Sequence, residues 1–437
     1  MNGGCKMANF GVLRSGSRSP QVELLQLGLN RAGYKAGDID GIFGNNTLAA
    51  LTKFQMDYGI DPNGVVGTRV WRTLMPYLTG YFMHTVRPGD TFGRLSSEYS
   101  TTIRSIETAN PDADPMNLRI GYRLIIPFGF FVVPSEVSFT STVLELCVRG
   151  LRARYPFLRS RPIGMSVMGK PLYCLTIGEG SNEVFYNATH HANEWITSTL
   201  IMTFLERYCI AYSAGGEIFK HDARTLYAAS TLFAAPMVDP DGVDLVTGEL
   251  TSGRYYSEAL EISVDYPSIP FPSGWKSNIA GTDLNIQYPA GWDKARDIKF
   301  AQGWISPAPR DYVGLTPLSA PESRAVYNFT KTHDFSLTLS YHTQGGVIYW
   351  KYQDIAPEGA YKIAQAFAAV SGYAVSDVPY ESGYAGYKDW FIDEYDRPGF
   401  TVEAGYGQSP LPISQFPEIY RNNEGILTLG LTAAAKG

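Results

Sequence analysis

The stretch Val184-Phe185-Tyr186-Asn187-Ala188-Thr189-His190-His191-Ala192-Asn193-Glu194-Trp195 decides how the largest part of the chain folds. Its first five residues are a short run of β-branched, aromatic and small side chains, which reads as a buried strand. Beyond it, Ile196, Leu200, Phe204 and Tyr208 recur at four-residue spacing, which reads as a helix. A strand running straight into a helix is the unit of an α/β domain, and the carboxyl end of such a strand is where open sheets bind ligands. His191 and Glu194 stand in that junction, three residues apart. This spacing lets an imidazole nitrogen and a carboxylate meet on one cation. A bare His-x-x-Glu also arises from core packing, so a third ligand has to come from elsewhere in the chain.

Working outward, the alternation continues. The pattern predicts a helix over 143–154, strands over 172–177 and 184–188, a helix over 195–208, strands over 231–237 and 336–341, a helix over 361–369 and a strand over 399–403. The Gly-, Pro- and Tyr-rich stretch 247–312 shows little periodicity and reads as a surface insertion that shapes a site. The strand over 336–341 runs into His342-Thr343-Gln344-Gly345-Gly346, so a histidine again stands at a strand end before a glycine turn. Of the six histidines, His342 is the candidate third ligand.

Composition sets the limits. A chain of 437 residues suggests two to four domains at roughly 100–200 residues each. With 44% hydrophobic and 18% charged residues, it has the material for a packed core and is not disordered. A net charge of -6 argues against nucleic acid as the main partner. The 29 Tyr and 7 Trp suit surfaces that take sugars or peptides as well as a large core. No run approaches the roughly 20 apolar residues of a membrane helix, and residues 1–20 lack the apolar stretch of a secretory signal. The expectation is a protein that stays in the producing cell or leaves it by lysis or another unconventional route. Cys5, Cys147, Cys174 and Cys209 form no Cys-x-x-Cys pair and read as reduced thiols.

Two small modules precede the α/β part. Over 12–78, Asp40-Gly41-Ile42-Phe43-Gly44 and Asn63-Gly64-Val65-Val66-Gly67 repeat one Asx-Gly turn, each followed by a capping residue and a helix. With Gly33-Tyr34 and Phe54-Gln55, this doublet resembles the peptidoglycan-binding module of bacterial wall hydrolases. Over 82–127, a strand at 84–86, the turn Pro88-Gly89-Asp90-Thr91, two helices separated from the exit by Asn110-Pro111, and a strand at 123–127 give a β-α-α-β pattern that resembles a LysM module. That resemblance implies binding of N-acetylglucosamine-containing glycans, with Gly89, Asp90, Thr91, Phe92, Asn110 and Pro111 at the groove. A linker over 128–140 leads to the large domain, 141–437.

The large domain resembles the zinc carboxypeptidases. The matching stretches are Ile163-Gly164-Met165-Ser166, His191-Ala192-Asn193-Glu194-Trp195, Pro236-Met237-Val238-Asp239-Pro240-Asp241-Gly242, Gly281-Thr282-Asp283-Leu284-Asn285, Ser340-Tyr341-His342, Asp389-Trp390 and Phe400-Thr401-Val402-Glu403. Asp239 stands where the family has Asn. The resemblance implies one zinc ion held by His191, Glu194 and His342, with Glu403 as general base and then proton donor. The family's oxyanion arginine falls at Trp275-Lys276, which makes Lys276 the candidate. Asn285 is the substrate-side asparagine, and the tyrosine that closes over substrate is Tyr380 or Tyr384, with Tyr380 favoured. The arginine that grips a terminal carboxylate is missing, because Ile286 follows Asn285. Asn193 likewise stands in place of the first motif's arginine.

The expected architecture is α/β: a carboxypeptidase-like mixed central sheet flanked by helices, preceded by a three-helix module and a βααβ LysM module. A zinc peptidase without the carboxylate clamp, joined to two wall-binding modules, resembles the γ-D-glutamyl-L-diamino acid endopeptidases. The resemblance implies cleavage of the γ-D-glutamyl–meso-diaminopimelate bond of peptidoglycan stem peptides, with glycan strands as the second partner. Two alternatives stay open at this point: a wall-anchored carboxypeptidase of broader specificity, and an inactive glycan-binding protein. The expected location is the cell wall or spore, or the interior of a sporulating bacterium.

Overall fold

The computed structural model describes residues 10–433; Cys5 and the first part of the stretch read as lacking a secretory signal lie outside the described residues, as does the end of the domain expected over 141–437. The chain forms two compact units. One holds residues up to 138 together with 142–156, the other residues 139–141 and those from 157 onward.

In the first unit, helices Pro20–Arg31, Asn45–Asp57 and Thr68–Thr79 bury Leu25, Leu29, Leu51, Phe54, Trp71 and Leu74. The sequence doublet is a repeated turn with a repeated clasp. Asp40 Oδ1 accepts from Ile42 N at 2.9 Å, and Asn63 Oδ1 from Val65 N at 2.9 Å. Gly41 and Gly64 both sit at φ +69, where a side chain would be strained. A buried glutamine grips each turn from the preceding helix. Gln26 Oε1 accepts from Asp40 N and Gly41 N at 3.1 and 3.0 Å, and its Nε2 donates to Ile42 O at 3.1 Å. Gln55 Oε1 accepts from Gly64 N at 3.0 Å, and its Nε2 donates to Val65 O at 3.0 Å. The expected side-chain caps are absent: Gly44 and Gly67 are the N-caps, so the backbone alone starts both helices.

The second module pairs β1 (Tyr81–Thr85) antiparallel with β2 (Arg123–Pro127), with helices Phe92–Glu98 and Ile103–Ala109 between them. Thr91 caps the first helix, accepting from Arg94 N at 3.1 Å. The first strand begins earlier than expected, because all five of its residues find partners on β2. Residues 128–138 are bonded into this unit. Arg31 donates to Phe131 O at 2.8 Å, Arg154 to Phe130 O at 2.7 Å, and Ser138 N to Glu23 Oε2 at 2.6 Å. Most of the helix Ser141–Arg154 also falls in this unit.

The second unit is built on an eight-stranded mixed sheet. Its early strands are β3 (Arg159–Met165), β4 (Pro171–Ile177) and β5 (Asn182–Ala188). After the small hairpin β6 (Glu217–Ile218) and β7 (His221–Asp222) come β8 (Ser230–Ala235), β9 (Leu337–His342), β10 (Val347–Tyr349), β11 (Ala374–Ser376) and β12 (Gly399–Glu403). The order is β11-β10-β12-β9-β5-β8-β4-β3, with β12, β9, β5 and β8 mutually parallel at the centre. The central strands are buried on both faces, so even their polar residues Asn187, Thr338 and Ser340 are enclosed. β3 escaped the sequence pattern because it is an edge strand carrying Arg159, Arg161, Pro162 and Gly164, with a register break at Pro162. The stretch 247–312 is less irregular than expected, since helices Arg254–Val264 and Trp292–Ala301 lie within it. Their faces are largely exposed, which weakened the periodic signal. Cys147, Cys174 and Cys209 are buried and form no disulfide. No described helix is long and apolar enough to cross a membrane.

Gln55→Ala removes both arms of one clasp and leaves Gly64 N and Val65 O without partners. We expect the first module to lose about 2–3 kcal/mol, read as faster amide hydrogen exchange across residues 45–79 of the full-length protein. Unchanged protection would mean that the clasp is not what fixes the turn.

Candidate active site

Three adjacent parallel strands deliver the reactive side chains. β5 runs beside β9 with Ala188 opposite Tyr341, and β9 runs beside β12 with His342 opposite Glu403. His191 and Glu194, His342, and Glu403 therefore emerge at neighbouring carboxyl ends. After β5 the chain turns sharply at Thr189, which holds φ +59, a costly conformation for a β-branched residue. Its hydroxyl offsets that cost by bonding Thr197 Oγ1 at 2.8 Å and Ser198 Oγ at 2.7 Å, which ties the turn to the helix Ile196–Ala214. A 3-10 turn, Ala192–Glu194, then points Glu194 back at His191.

His191, Glu194 and His342 are buried and form the one metal-type cluster found among the described residues. His191 Nδ1 lies 3.0 Å from Glu194 Oε1, and His342 Nδ1 lies 2.9 Å from Glu194 Oε2. The two Nδ1 atoms are 3.0 Å apart. His191 Nε2 sits 3.1 Å from Asp283 Oδ1, which places its proton there and leaves the lone pair on Nδ1. Two imidazole nitrogens and a carboxylate so arranged suit a cation at their centre, and a His₂Glu set with room beside it is a catalytic zinc donor set. Burial works against Glu194's charge, yet His191 and His342 hold its carboxyl well below the usual range. Asp283 behaves alike: burial opposes its charge, and His191 pulls it down. His190 takes no part. Its Nε2 bonds the Tyr288 hydroxyl at 2.9 Å, and burial drives its pKa well below the ordinary value, so it is a neutral core histidine.

A cavity of about 180 Å³ opens beside the cluster, lined by Lys276, Asn285, Ile286 and Glu403 among others. Glu403's carboxyl is pushed up to about 8, first by burial and then by the charge of Glu194. Lys276 Nζ lies 3.9 Å from Glu194 Oε1; burial disfavours its charge, but Glu194 and Asp283 keep its pKa above the usual value. Asn285 Oδ1 accepts from Tyr387 N at 3.1 Å, so its side chain is fixed at the cavity wall. Neither candidate tyrosine lines the cavity. Tyr380 is exposed, on a turn whose neighbours Pro379 and Ser382 do the lining. Tyr384 packs against the cluster of Trp292, Ala295 and Val313. A larger cavity of about 560 Å³ contains Ser336 and Pro398, just before β9 and β12, and so lies at the opposite end of the same strands.

Sequence reasoning did not assign Asp283 its part in orienting His191, although the residue stands in the quoted motif. It also missed Lys299, Asp311 and Lys388, which line the cavity but carry no local signal, and gave no role to Asp389, which lines it too. Beneath the His191 turn lies a buried acid cluster, also unforeseen. Lys170 Nζ pairs with Asp244 Oδ2 at 2.6 Å and Asp241 Oδ1 at 3.3 Å. Asp239 Oδ1 accepts from Gly242 N at 3.0 Å, while its Oδ2 is buried with no partner. Burial, then the nearby Glu322, raises Asp239 well above the ordinary range, and burial lifts Glu322 to about 7.

In the LysM-like module, Gly89 holds φ +84 in the turn and Pro111 is exposed. The side chains of Asp90, Thr91, Phe92 and Asn110 serve the module's own fold. Asp90 bonds His84 and Arg87 N, Thr91 caps its helix, Phe92 is buried, and Asn110 bridges Ile106 O and Ile125.

Comparison with known proteins follows the same division. The zinc carboxypeptidase family model matches residues 145–424, the peptidoglycan binding domain model residues 18–74, and the LysM domain model residues 84–127. The chain is 42% identical over 303 residues to gamma-D-glutamyl-L-diamino acid endopeptidase 1 of Lysinibacillus sphaericus, covering 69% of this chain and 74% of that protein. It is 35% identical over 298 residues to the uncharacterized protein YqgT of Bacillus subtilis, covering 68% of this chain and 77% of that one. Part of it, 21% of the chain, is 33% identical to the Bacillus subtilis spore cortex-lytic enzyme, of which it covers 32%. Among solved structures, the fold is similar to carboxypeptidase A from Helicoverpa armigera, with a TM-score of 0.52 at 17% identity, covering 90% of this chain and 95% of that one.

Two outcomes test this arrangement. His342→Ala should lose most of the bound zinc, measured by elemental analysis of the purified protein, while near-native circular dichroism shows that the fold survives. For Asp239→Asn the sign follows from a raised pKa: wild-type stability from this group is complete below the ordinary aspartate pKa and falls as pH rises through the folded value. Melting of the Asn variant should therefore match wild type in acid and exceed it by several degrees at pH 8. Parallel melting curves at all pH values would show that Asp239 is ionised in the folded protein.

Proposed function

The chain belongs to the zinc carboxypeptidase family, and on that premise we propose that it hydrolyses the γ-D-glutamyl–meso-diaminopimelate bond of bacterial stem peptides. The observation that carries the choice of bond is Ile286. It is buried at the cavity wall beside Asn285, where an arginine would have gripped a peptide's terminal carboxylate. The similarity to the Lysinibacillus endopeptidase supports the same choice. The peptidoglycan-binding and LysM domains supply a reason for the chain to be at the wall. A place in spore-wall turnover is a further part of this proposal, supported by the partial similarity to the cortex-lytic enzyme. Residues 12–78 and 82–127 act in this reading as anchors, 128–140 joins them to the rest, and 141–437 does the chemistry.

His191, Glu194 and His342 hold the zinc ion, which when bound supplies Lewis acidity toward the scissile carbonyl and acidifies water. Asp283 keeps His191 in the tautomer that offers Nδ1. Glu403, across the strand register from His342, takes a proton from the attacking water and hands it to the departing amine. Glu403 acts in its ionised form, which neutralisation of Glu194's charge by a bound cation would favour. Lys276 opposes the negative charge that develops on the carbonyl oxygen. Asn285 fixes the substrate backbone from the wall, and one of Tyr380 and Tyr384 closes over it. The glycan groove of the LysM domain runs by Gly89 and Pro111.

Incubation with a γ-D-glutamyl–meso-diaminopimelate peptide, with products identified by mass, tests the bond. Release of single C-terminal amino acids from ordinary peptides, with the γ-linked peptide left intact, would overturn the reading. Glu403→Gln should keep zinc and lose about 10²–10⁴-fold in kcat on the γ-linked peptide. A folded, zinc-loaded Gln variant with near-normal kcat would remove Glu403 from the chemistry.

A further inference from the structure

Three lysines line the cavity: Lys276, Lys299 and Lys388. Their commitments differ. Lys276 faces Glu194 at 3.9 Å, next to the metal ligands. Lys388 donates to Lys351 O at 2.6 Å and pairs with Asp389 at 2.5 Å, so two of its three N–H donors are used. Lys299, buried on the helix Trp292–Ala301, has an ion pair with Asp311 Oδ1 at 2.6 Å and two donors to spare. Asp311 is itself shared, because its Oδ2 takes Arg310 Nε at 2.5 Å. Two cations thus flank one carboxylate. Asp311's charge is divided between them, and Lys299 keeps unused donors at the wall of a small cavity.

The placement of this group is tied to the metal ligands. Asp311 holds φ +65, and its backbone N donates to Asp283 Oδ2 at 3.2 Å. Asp283 Oδ1 is the atom that orients His191. Lys299 is therefore fixed relative to the reacting centre through two carboxylates. The same cavity wall carries the uncharged Ile286.

We propose that Lys299 binds a free carboxylate of the substrate close to the scissile bond and so selects which stem peptides are cut; this rests on the stem-peptide reading above. A γ-linked substrate offers that chemistry from two sources. Linkage through the γ-carbonyl leaves the D-glutamyl α-carboxylate free, and the diamino acid carries a carboxylate on its far centre. Either would accept charge-assisted hydrogen bonds from the unused ammonium donors.

The test uses the full-length, zinc-loaded protein and three γ-D-glutamyl–diaminopimelate peptides: one fully acidic, one with the glutamyl α-carboxylate as carboxamide, one with the far diaminopimelate carboxylate as carboxamide. Wild type should cut one of the two amides about tenfold or more worse in kcat/KM than the acidic peptide, and which amide suffers names the source. Lys299→Met should cut the acidic peptide about tenfold or more worse, mainly through KM, with unchanged zinc content and no remaining preference for acid over amide. Lys299→Arg should restore most of that preference. If the Met variant loses zinc, Lys299→Gln, which keeps an N–H donor for Asp311, takes its place with the same expectation. A Lys299 variant with the wild-type acid-to-amide ratio, or a wild type without any preference, overturns this inference alone. Failure of wild type to cut any of the three peptides overturns it together with the proposed function.

Discussion

The parallel register of β5, β9 and β12 is the constraint on which the chemistry depends. Ala188 lies opposite Tyr341, and His342 opposite Glu403. Neighbouring strands lie about 4.8 Å apart, so side chains leaving adjacent strand ends meet around one point. A slip of one residue in β9 would turn His342 to the other face of the sheet and separate it from Glu194. Both faces of these strands are buried, and that burial holds the register. The outer strands and the helices serve to keep the three central strands dry and in step.

Charge sets a second condition. Glu194, Asp283, Lys276, Lys299 and Asp311 crowd one small region with little access to water. Isolated, each would be driven toward its neutral form. Their signs alternate: Glu194 lies between two histidines and near Lys276, Asp283 faces His191, and Asp311 lies between Lys299 and Arg310. The cluster under the His191 turn differs. Among the described residues Lys170 pairs with Asp241 and Asp244, while burial and the nearby Glu322 raise the pKa of Asp239 well above the ordinary range. Reactive groups and silent acids thus sit on the two sides of a single turn, distinguished by the number of cations within reach.

The first unit shows how much local sequence can dictate. An Asx-Gly turn needs its side-chain acceptor two residues before the amide it binds, and a left-handed glycine; Asp40-Gly41 and Asn63-Gly64 supply both at fixed positions. The turns, the helices after them and the β-α-α-β order of the second module were legible for that reason. The buried roles of Gln26 and Gln55 were not, because a polar residue within a helical pattern carries no sign of pointing inward. The residues expected at the glycan groove included Phe92 and Asn110, which a motif cannot distinguish from fold-keeping residues until the core is seen.

In the large unit, short-range pattern and motif were enough for the α/β class, the strand ends that carry His191, His342 and Glu403, and the loss of the arginine after Asn285. Strand ends and helix starts are written in short-range periodicity and in the Gly turns beside them, so these features survive in one dimension. Tertiary packing alone put β12, the last strand of the chain, next to β9. It alone gave Asp283 the task of orienting His191, left Tyr380 and Tyr384 off the cavity wall, and brought Lys299 and Asp311 into the cavity from a stretch that looked irregular. A ligand set, an orienting carboxylate and a charged wall are defined by distances of about 3 Å between atoms far apart along the chain, and sheet order and loop packing alone fix those distances.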